Sequence, residues 1–219
     1  IFVSFFFVLD VSQFRSIFNS LITGNDLENA EKSFLDILDK NPQGTIESIV
    51  STIINYSNDI CLVRKLYILL GRVVTILNQN ILAIGSESFH LQFQNFLIDS
   101  FLFQNSNQNL FEQLIEITKN CAKVYSSKGL WNGLFQELIN RFEKTQNELN
   151  LAYIIKCIGS CFGNQSINFN EHQEVLKFIS TIFNTGSDII FSATVYLIFI
   201  ISSCDKDAKE KLMTYSGDI

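Results

Sequence analysis

The sequence predicts an all-α fold, an α-solenoid of about five antiparallel helix pairs with right-handed superhelical curvature. Helix start signals followed by apolar stripes of 3.6-residue period recur along most of the chain. There is one proline, Pro42, and the glycines are scattered singly, so no linker separates unlike domains. The stripes also recur at a similar spacing, which indicates repeated helix pairs. A single helical bundle is the alternative arrangement.

The elements follow from capping residues and breakers. The pair Asn41-Pro42 ends the second predicted helix, because proline lacks the N–H that a helix interior needs. Asp59 opens a long helix that runs to about Leu77. These signals predict about eleven helices and no strand. The predicted starts, in chain order, are Ser12, Asn25, Thr45, Asp59, Ser86, Asn107, Leu130, Asn147, Asn170, Ser187 and Asp205.

Four of the longer helices carry superimposable apolar positions, at offsets of 48, 41 and 40 residues. The sets are Leu62, Leu66, Leu69, Val73; Leu110, Leu114, Ile117, Cys121; Leu151, Ile155, Ile158, Phe162; and Phe191, Val195, Ile198, with Ser202 at the fourth place. A second amphipathic helix precedes each, over 46–56, 88–103, 130–142 and 171–183. The spacing is that of HEAT repeats or just beyond it. We expect a first repeat at 12–44, further repeats, truncated C-terminally, over 45–219, and an apolar leader at 1–11 outside the repeats.

Composition limits the classes of partner. The chain is 47% apolar and 17% charged, enough for a sizeable core. Lys plus Arg is 16 and Asp plus Glu is 22, which gives a net charge of −6. An acidic surface disfavours direct binding of nucleic acid and suits a basic protein partner.

Neither of two apolar runs is long enough to span a membrane. The runs are "IFVSFFFVL" at the start and residues 189–201, whereas a spanning helix needs about 20 residues. We therefore expect no membrane insertion. The first run lacks an initiator Met and a basic region, so we expect the chain either to begin within a longer reading frame or to come from an upstream-extended gene model.

No constellation for catalysis, metal or cofactor binding stands out. The five cysteines are odd in number and widely spaced, which favours reduced thiols. Cys157 and Cys161 could share a metal, but neither His90 nor His172 is at zinc-ligand spacing, so buried small side chains are expected instead. Glu112 and Glu116, four residues apart, are expected on a solvated helix face, as is usual for such pairs. With no phosphate-binding glycine loop or nucleophile elbow either, we expect a protein that is not an enzyme.

The only tryptophan, Trp131, lies in "SSKGLWNGLFQELINRF". Leu134, Phe135 and Leu138 follow it on one stripe, which predicts a core residue at the first turn of a helix. An exposed recognition residue is the alternative.

The order of several motifs resembles the N-terminal region of the karyopherin-β (importin-β) nuclear transport receptors, especially the branch that imports ribosomal proteins. The segment "SQFRSIFNSLITGNDLENAEKSFLDILDKNP" resembles the opening repeat, with Ala30, Glu31 and Phe34 at its "AE" and aromatic positions. "VRKLYILLGRVV" is similar to the helix that ends the second pair, and the tryptophan segment and "NLAYIIKCIGSCFGNQ" resemble a later pair. The resemblance covers roughly residues 12–204.

This resemblance implies a receptor that shuttles between cytoplasm and nucleus, binds Ran in its GTP form, and contacts FG-repeat nucleoporins. It also implies basic protein cargo such as ribosomal proteins. A HEAT-repeat scaffold or adaptor subunit unrelated to transport is the alternative. Two helices would line the concave side with the residues opposite their apolar stripes. These residues are Asn29, Lys32, Asp36 and Lys40 on the helix from 26, and Arg64, Ile68, Gly71 and Thr75, with Arg72 flanking, on the helix from 59. The candidates for Ran-GTP contact are Asn29, Lys32, Asp36, Lys40, Arg64, Arg72 and Thr75.

Overall fold

The computed structural model describes residues 11–24, 26–102, 108–162, 169–182 and 187–204, and it is all-α over these ranges. The prediction of an all-α fold is confirmed. Residues 1–10 of the predicted leader and the predicted starts at Asn25, Asn107 and Asp205 lie outside the described residues, whereas Val11, the last residue of that leader, is the first residue of a helix. Two 3-10 segments, Asn78–Ala83 and Ser100–Leu102, accompany the α-helices. The α-helices are α1 (Val11–Thr23), α2 (Leu27–Lys40), α3 (Pro42–Asn55), α4 (Ile60–Leu77), α5 (Glu87–Asp99), α6 (Gln108–Ser126), α7 (Leu134–Lys144), α8 (Glu148–Phe162), α9 (Phe169–Ile182) and α10 (Asp188–Cys204).

The helix starts follow from side-chain caps. Asp59 accepts a hydrogen bond from the Leu62 amide at 3.0 Å, and Ser86 caps α5 in the same way. The Asn147 side chain accepts from two amides at the start of α8. Each cap satisfies N–H groups that have no partner within the helix, which is why these starts were predictable from sequence.

The start of α3 differs from the prediction. Asn41 caps this helix, its Oδ1 accepting from the Gly44 amide at 2.9 Å, and Pro42 is the first helical residue. Thr45, predicted as the start, lies buried within the first turns. Pro42 ends one helix and begins the next because its fixed φ suits the first helical position. The predicted boundary between residues 44 and 45 therefore falls inside α3.

The chain divides into two compact units, Ile1–Gly85 and Ser86–Ile219. In the first unit α1 packs against α2, α2 against α3, and α3 against α4, so the helices contact in chain order. Its core includes the fully buried aliphatic side chains of Ile49 and Ile53 on α3 and of Leu66 and Leu70 on α4.

The second unit shows the layered packing of an α-solenoid. The first helices of successive pairs contact one another, α5 with α7 and α7 with α9. The second helices do the same, α6 with α8 and α8 with α10, and each pair also packs internally. Contacts restricted to neighbouring repeats are the mark of a solenoid, so within this unit the packing is that of stacked pairs and not of one closed bundle. The superhelical curvature of the whole chain stays a prediction.

Aromatic side chains fill the joints between these pairs. Phe111 on α6 stacks on Tyr153 of α8 with ring centroids 4.5 Å apart. Phe101 also stacks on Phe111, with centroids 6.2 Å apart. Phe142 and Phe178 meet edge to face between α7 and α9. Where α8 crosses α10, a Cβ at Gly159 would lie only 3.2 Å from the Tyr196 ring, so glycine permits the close approach.

The predicted apolar stripe of α10 is wrong by one residue. Phe191 and Val195 are about half exposed, and Ile198 is only partly buried. The buried residues are Ala193 and a stripe of four, Ile190, Thr194, Leu197 and Ile201. The residues of this stripe have the same four, three, four spacing as the stripe of α4. The helix is apolar on nearly every side, so hydrophobic periodicity does not decide between adjacent stripes.

Candidate protein-interaction surface

The seven residues predicted to contact Ran-GTP all lie on exposed helix faces of the first unit. They are Asn29, Lys32, Asp36 and Lys40 on α2 and Arg64, Arg72 and Thr75 on α4. The residues that face the core lie on a different side of each helix: Phe34 and Leu38 are buried on α2, and Leu66 and Val73 are buried on α4. The apolar pattern therefore located the solvent side of each helix correctly, whereas contact with Ran stays a prediction.

Three of these side chains have partners within the chain. The Asn29 amide donates to the Asp26 carboxylate at 2.9 Å, next to the N-terminus of α2. The Thr75 hydroxyl donates to the Gly71 carbonyl at 2.8 Å, so it points back along its own helix. Arg72 donates from Nη2 to Glu31 Oε1 at 2.9 Å, and this ion pair joins α4 to α2.

A groove lies between α2 and α4 at this ion pair. Its volume is about 210 Å³, and we call it the α2–α4 groove. Only Arg72 among the seven predicted residues lines it. The lining residues are Leu21, Leu27, Glu31, Lys65, Ile68, Leu69 and Arg72.

Exposed aliphatic side chains lie along α2 and α4 on the same helix faces as Glu31 and Arg72. On α2, Leu27 and Leu35 are 47% and 45% exposed, and Glu31 lies between them. On α4, Ile68 and Ile76 are 41% and 49% exposed, and Arg72 lies between them. Each helix thus presents an aliphatic, a charged and an aliphatic residue at four-residue steps, on one face. Ile68 was among the residues that the sequence placed opposite the core stripe of α4, but the candidates kept from that face were polar, so the aliphatic pattern as a whole was missed.

The α10 helix has a second exposed apolar surface. Phe191, Val195 and Phe199, at four-residue steps, are 48%, 47% and 67% exposed. Contiguous exposed apolar side chains of this size are typical of surfaces that contact other protein groups.

Trp131 is a core residue, as predicted, although it precedes α7 and is not part of the helix. Its ring meets Tyr125 of α6 edge to face, with centroids 5.8 Å apart. The Tyr125 hydroxyl lies 2.8 Å from His90 Nδ1 on α5. The Gln94 amide, also on α5, donates to the carbonyl of Leu130 at 3.2 Å. The segment around Trp131 therefore contacts α5 and α6 and leads into α7. Its indole is buried in these contacts and does not form an exposed binding surface.

The cysteines offer no metal centre within the described residues, where no group of three or more His, Cys, Asp or Glu side chains is placed to hold an ion. The Cys157 and Cys161 sulfurs lie 3.9 Å apart and are fully buried. Burial, followed by the hydrogen bond and charge of Cys161, raises the pKa of the Cys157 thiol well above its ordinary value. A protonated buried thiol is a poor metal ligand and a poor nucleophile.

The carboxylates of α6 lie on a solvated face. Glu116 pairs with Lys119 one turn away and accepts from the Asn120 amide, and Glu112 accepts from Gln108. Such i, i+3 and i, i+4 contacts are ordinary helix-surface interactions. They provide no general acid and base pair facing a common site.

Among the helices that the structure describes, none combines the length and the hydrophobicity that crossing a bilayer requires. Compared with known proteins, the chain matches no protein-family model, no curated protein sequence and no solved structure.

Proposed function

We propose that this chain is a helical-repeat part of an importin-β-like nuclear transport receptor, which binds Ran-GTP and carries protein cargo through the nuclear pore. The observation that supports the proposal most is where the resembling motifs fall. The "AE" pair and Phe34 are on α2, and "VRKLYILLGRVV" is on α4. The tryptophan segment leads into α7, and most of "NLAYIIKCIGSCFGNQ" is on α8. The segments that carry the resemblance therefore lie on α-helices or lead into one, which supports the proposal.

The exposed faces of α2 and α4 are the surface proposed for Ran-GTP. A switch protein controls a receptor only if the receptor has different affinities for its two nucleotide states. Helical repeats present extended surfaces for contacts of that kind. The net charge of −6 favours basic cargo, and FG-repeat nucleoporins are the partners that passage through the pore requires.

Charge reversal tests the proposed surface. The triple variant Lys32→Glu, Arg64→Glu, Arg72→Glu is expected to weaken binding to immobilised Ran-GTP by at least about tenfold, because complementary charges steer and hold the encounter. All three side chains are exposed, so the helical circular dichroism signal should be unchanged.

A matched triple variant in the second unit provides the control. Lys123→Glu, Lys144→Glu, Lys177→Glu makes the same change in net charge at exposed positions of α6, α7 and α9. It should retain wild-type binding. Equal loss in both triples would assign the effect to net charge and contradict the proposed surface. Wild-type binding by the first triple would contradict it as well. If Ran-GTP does not bind at all, a scaffold or adaptor role unrelated to transport takes the place of the transport proposal.

A further inference from the structure

The α2–α4 groove is large enough for one or two side chains of a protein partner. Sites that enclose drug-sized ligands have volumes of about 300–1,000 Å³, and this groove has about 210 Å³. Its aliphatic lining consists of Leu21, Leu27, Ile68 and Leu69. A groove of this volume and lining suits one or two apolar side chains of a protein partner better than a whole metabolite.

The exposed aliphatic residues define how such a partner would lie. Ile68 and Ile76 on α4 are eight residues apart, as are Leu27 and Leu35 on α2. At 1.5 Å per residue, eight residues correspond to about 12 Å along a helix. An amphipathic helix presents apolar anchors over this distance at positions i, i+4 and i+7, the usual spacing in helix-in-groove recognition.

The charged residues of the groove favour one kind of partner helix. The groove lining carries one carboxylate, Glu31, and two cations, Lys65 and Arg72. The α4 sequence adds Arg64 and contains no acidic residue. The α2 helix, by contrast, carries Glu28, Glu31, Asp36 and Asp39 against Lys32 and Lys40, so a partner carboxylate would be held on the α4 side of the groove. Arg72 uses one N–H for Glu31, and a guanidinium has five, so it can also bind a carboxylate from a partner.

We propose that the α2–α4 groove binds an acidic amphipathic helix of a partner protein, with leucine-like anchors on the aliphatic residues and glutamates beside Lys65 and Arg72. The proposal shares Arg64 and Arg72 with the Ran-GTP surface, but it does not require that Ran-GTP binds. It would hold for a scaffold protein as well as for a transport receptor.

Fluorescence anisotropy with synthetic peptides tests the proposal. One labelled peptide of 18 residues has leucines at i, i+4, i+7 and i+11 with glutamate and alanine between them. The second is identical except that every glutamate is lysine. The acidic peptide is expected to bind the full chain at least tenfold more tightly than the basic one. Equal binding of both peptides, tighter binding of the basic one, or no binding of either would overturn the proposal.

Variants locate the peptide. Lys65→Glu and Ile68→Asp should each lower the affinity for the acidic peptide at least fivefold. Lys65→Glu replaces the cation that pairs with the peptide's glutamates, and Ile68→Asp removes an aliphatic contact with its leucines. Lys123→Glu on α6 and Leu91→Asp on α5 are the matched controls at exposed positions and should leave affinity unchanged. Unchanged affinity in both groove variants, or an equal loss in the controls, would overturn the assignment to this groove. Peptide binding without Ran-GTP binding would separate this inference from the proposed function.

Discussion

Replacing Trp131 with alanine is expected to lower the free energy of unfolding by about 3–5 kcal/mol, as truncation of large buried aromatic residues does. Only 5% of the tryptophan surface is exposed, and its ring packs against Tyr125. The substitution leaves a cavity where the loop before α7 meets α6. It also loosens the segment whose Leu130 carbonyl accepts the hydrogen bond from Gln94 of α5. Urea unfolding followed by circular dichroism measures the change.

Trp131→Phe is the control, because it keeps an aromatic ring in the cavity and should cost much less than the alanine variant. Native tryptophan emission should be blue-shifted, since the indole is shielded from water. An alanine variant as stable as the wild type, together with red-shifted and readily quenched emission, would show that Trp131 is an exposed recognition residue.

Leu197→Ala is expected to cost about 2–5 kcal/mol, the usual range for a leucine truncated in a core. Leu197 is fully buried on the face of α10 that packs on α8. Val195→Ala, two residues away on the exposed face, should change stability by no more than about 0.5 kcal/mol. Chemical unfolding of the two variants side by side measures the difference.

The paired comparison also tests the register of α10. The stripe predicted from sequence placed Val195 in the core, whereas the structure places Leu197 there. If Val195→Ala proved the more damaging substitution, the structural register would be wrong and the sequence-based one correct.

Local signals explain how much of the fold was predictable. Asp59, Ser86 and Asn147 accept hydrogen bonds from amides two or three residues ahead, so a capping residue before an apolar stripe identified these starts. The start of α3 was missed because Pro42 was taken as a terminator only, although proline is also favoured at the first helical position. The start of α7 was placed too early because Trp131 is buried by its neighbours without being helical.

The features that the sequence did not predict depend on contacts between helices. The pair of Arg72 with Glu31 joins residues 41 positions apart, and no local pattern specifies such a partner. The α2–α4 groove depends on how two helices pack side by side, which a single helix stripe does not define. The exposed faces of α2 and α4 were predicted correctly because polar residues lie opposite the core stripe on both. The α10 helix is apolar on nearly every side, so no polar face marks which residues are exposed. Its buried face could therefore be identified only from the structure.

Titration calorimetry with Ran in its two nucleotide states tests the proposed function most directly. The protein is titrated with Ran bound to a non-hydrolysable GTP analogue and, separately, with Ran-GDP, under identical salt conditions. The account predicts binding to the GTP form in at least the micromolar range, with affinity at least about tenfold above that for the GDP form, because only a difference between states can switch a receptor. Equal affinity for the two forms, or no binding to either, would contradict it.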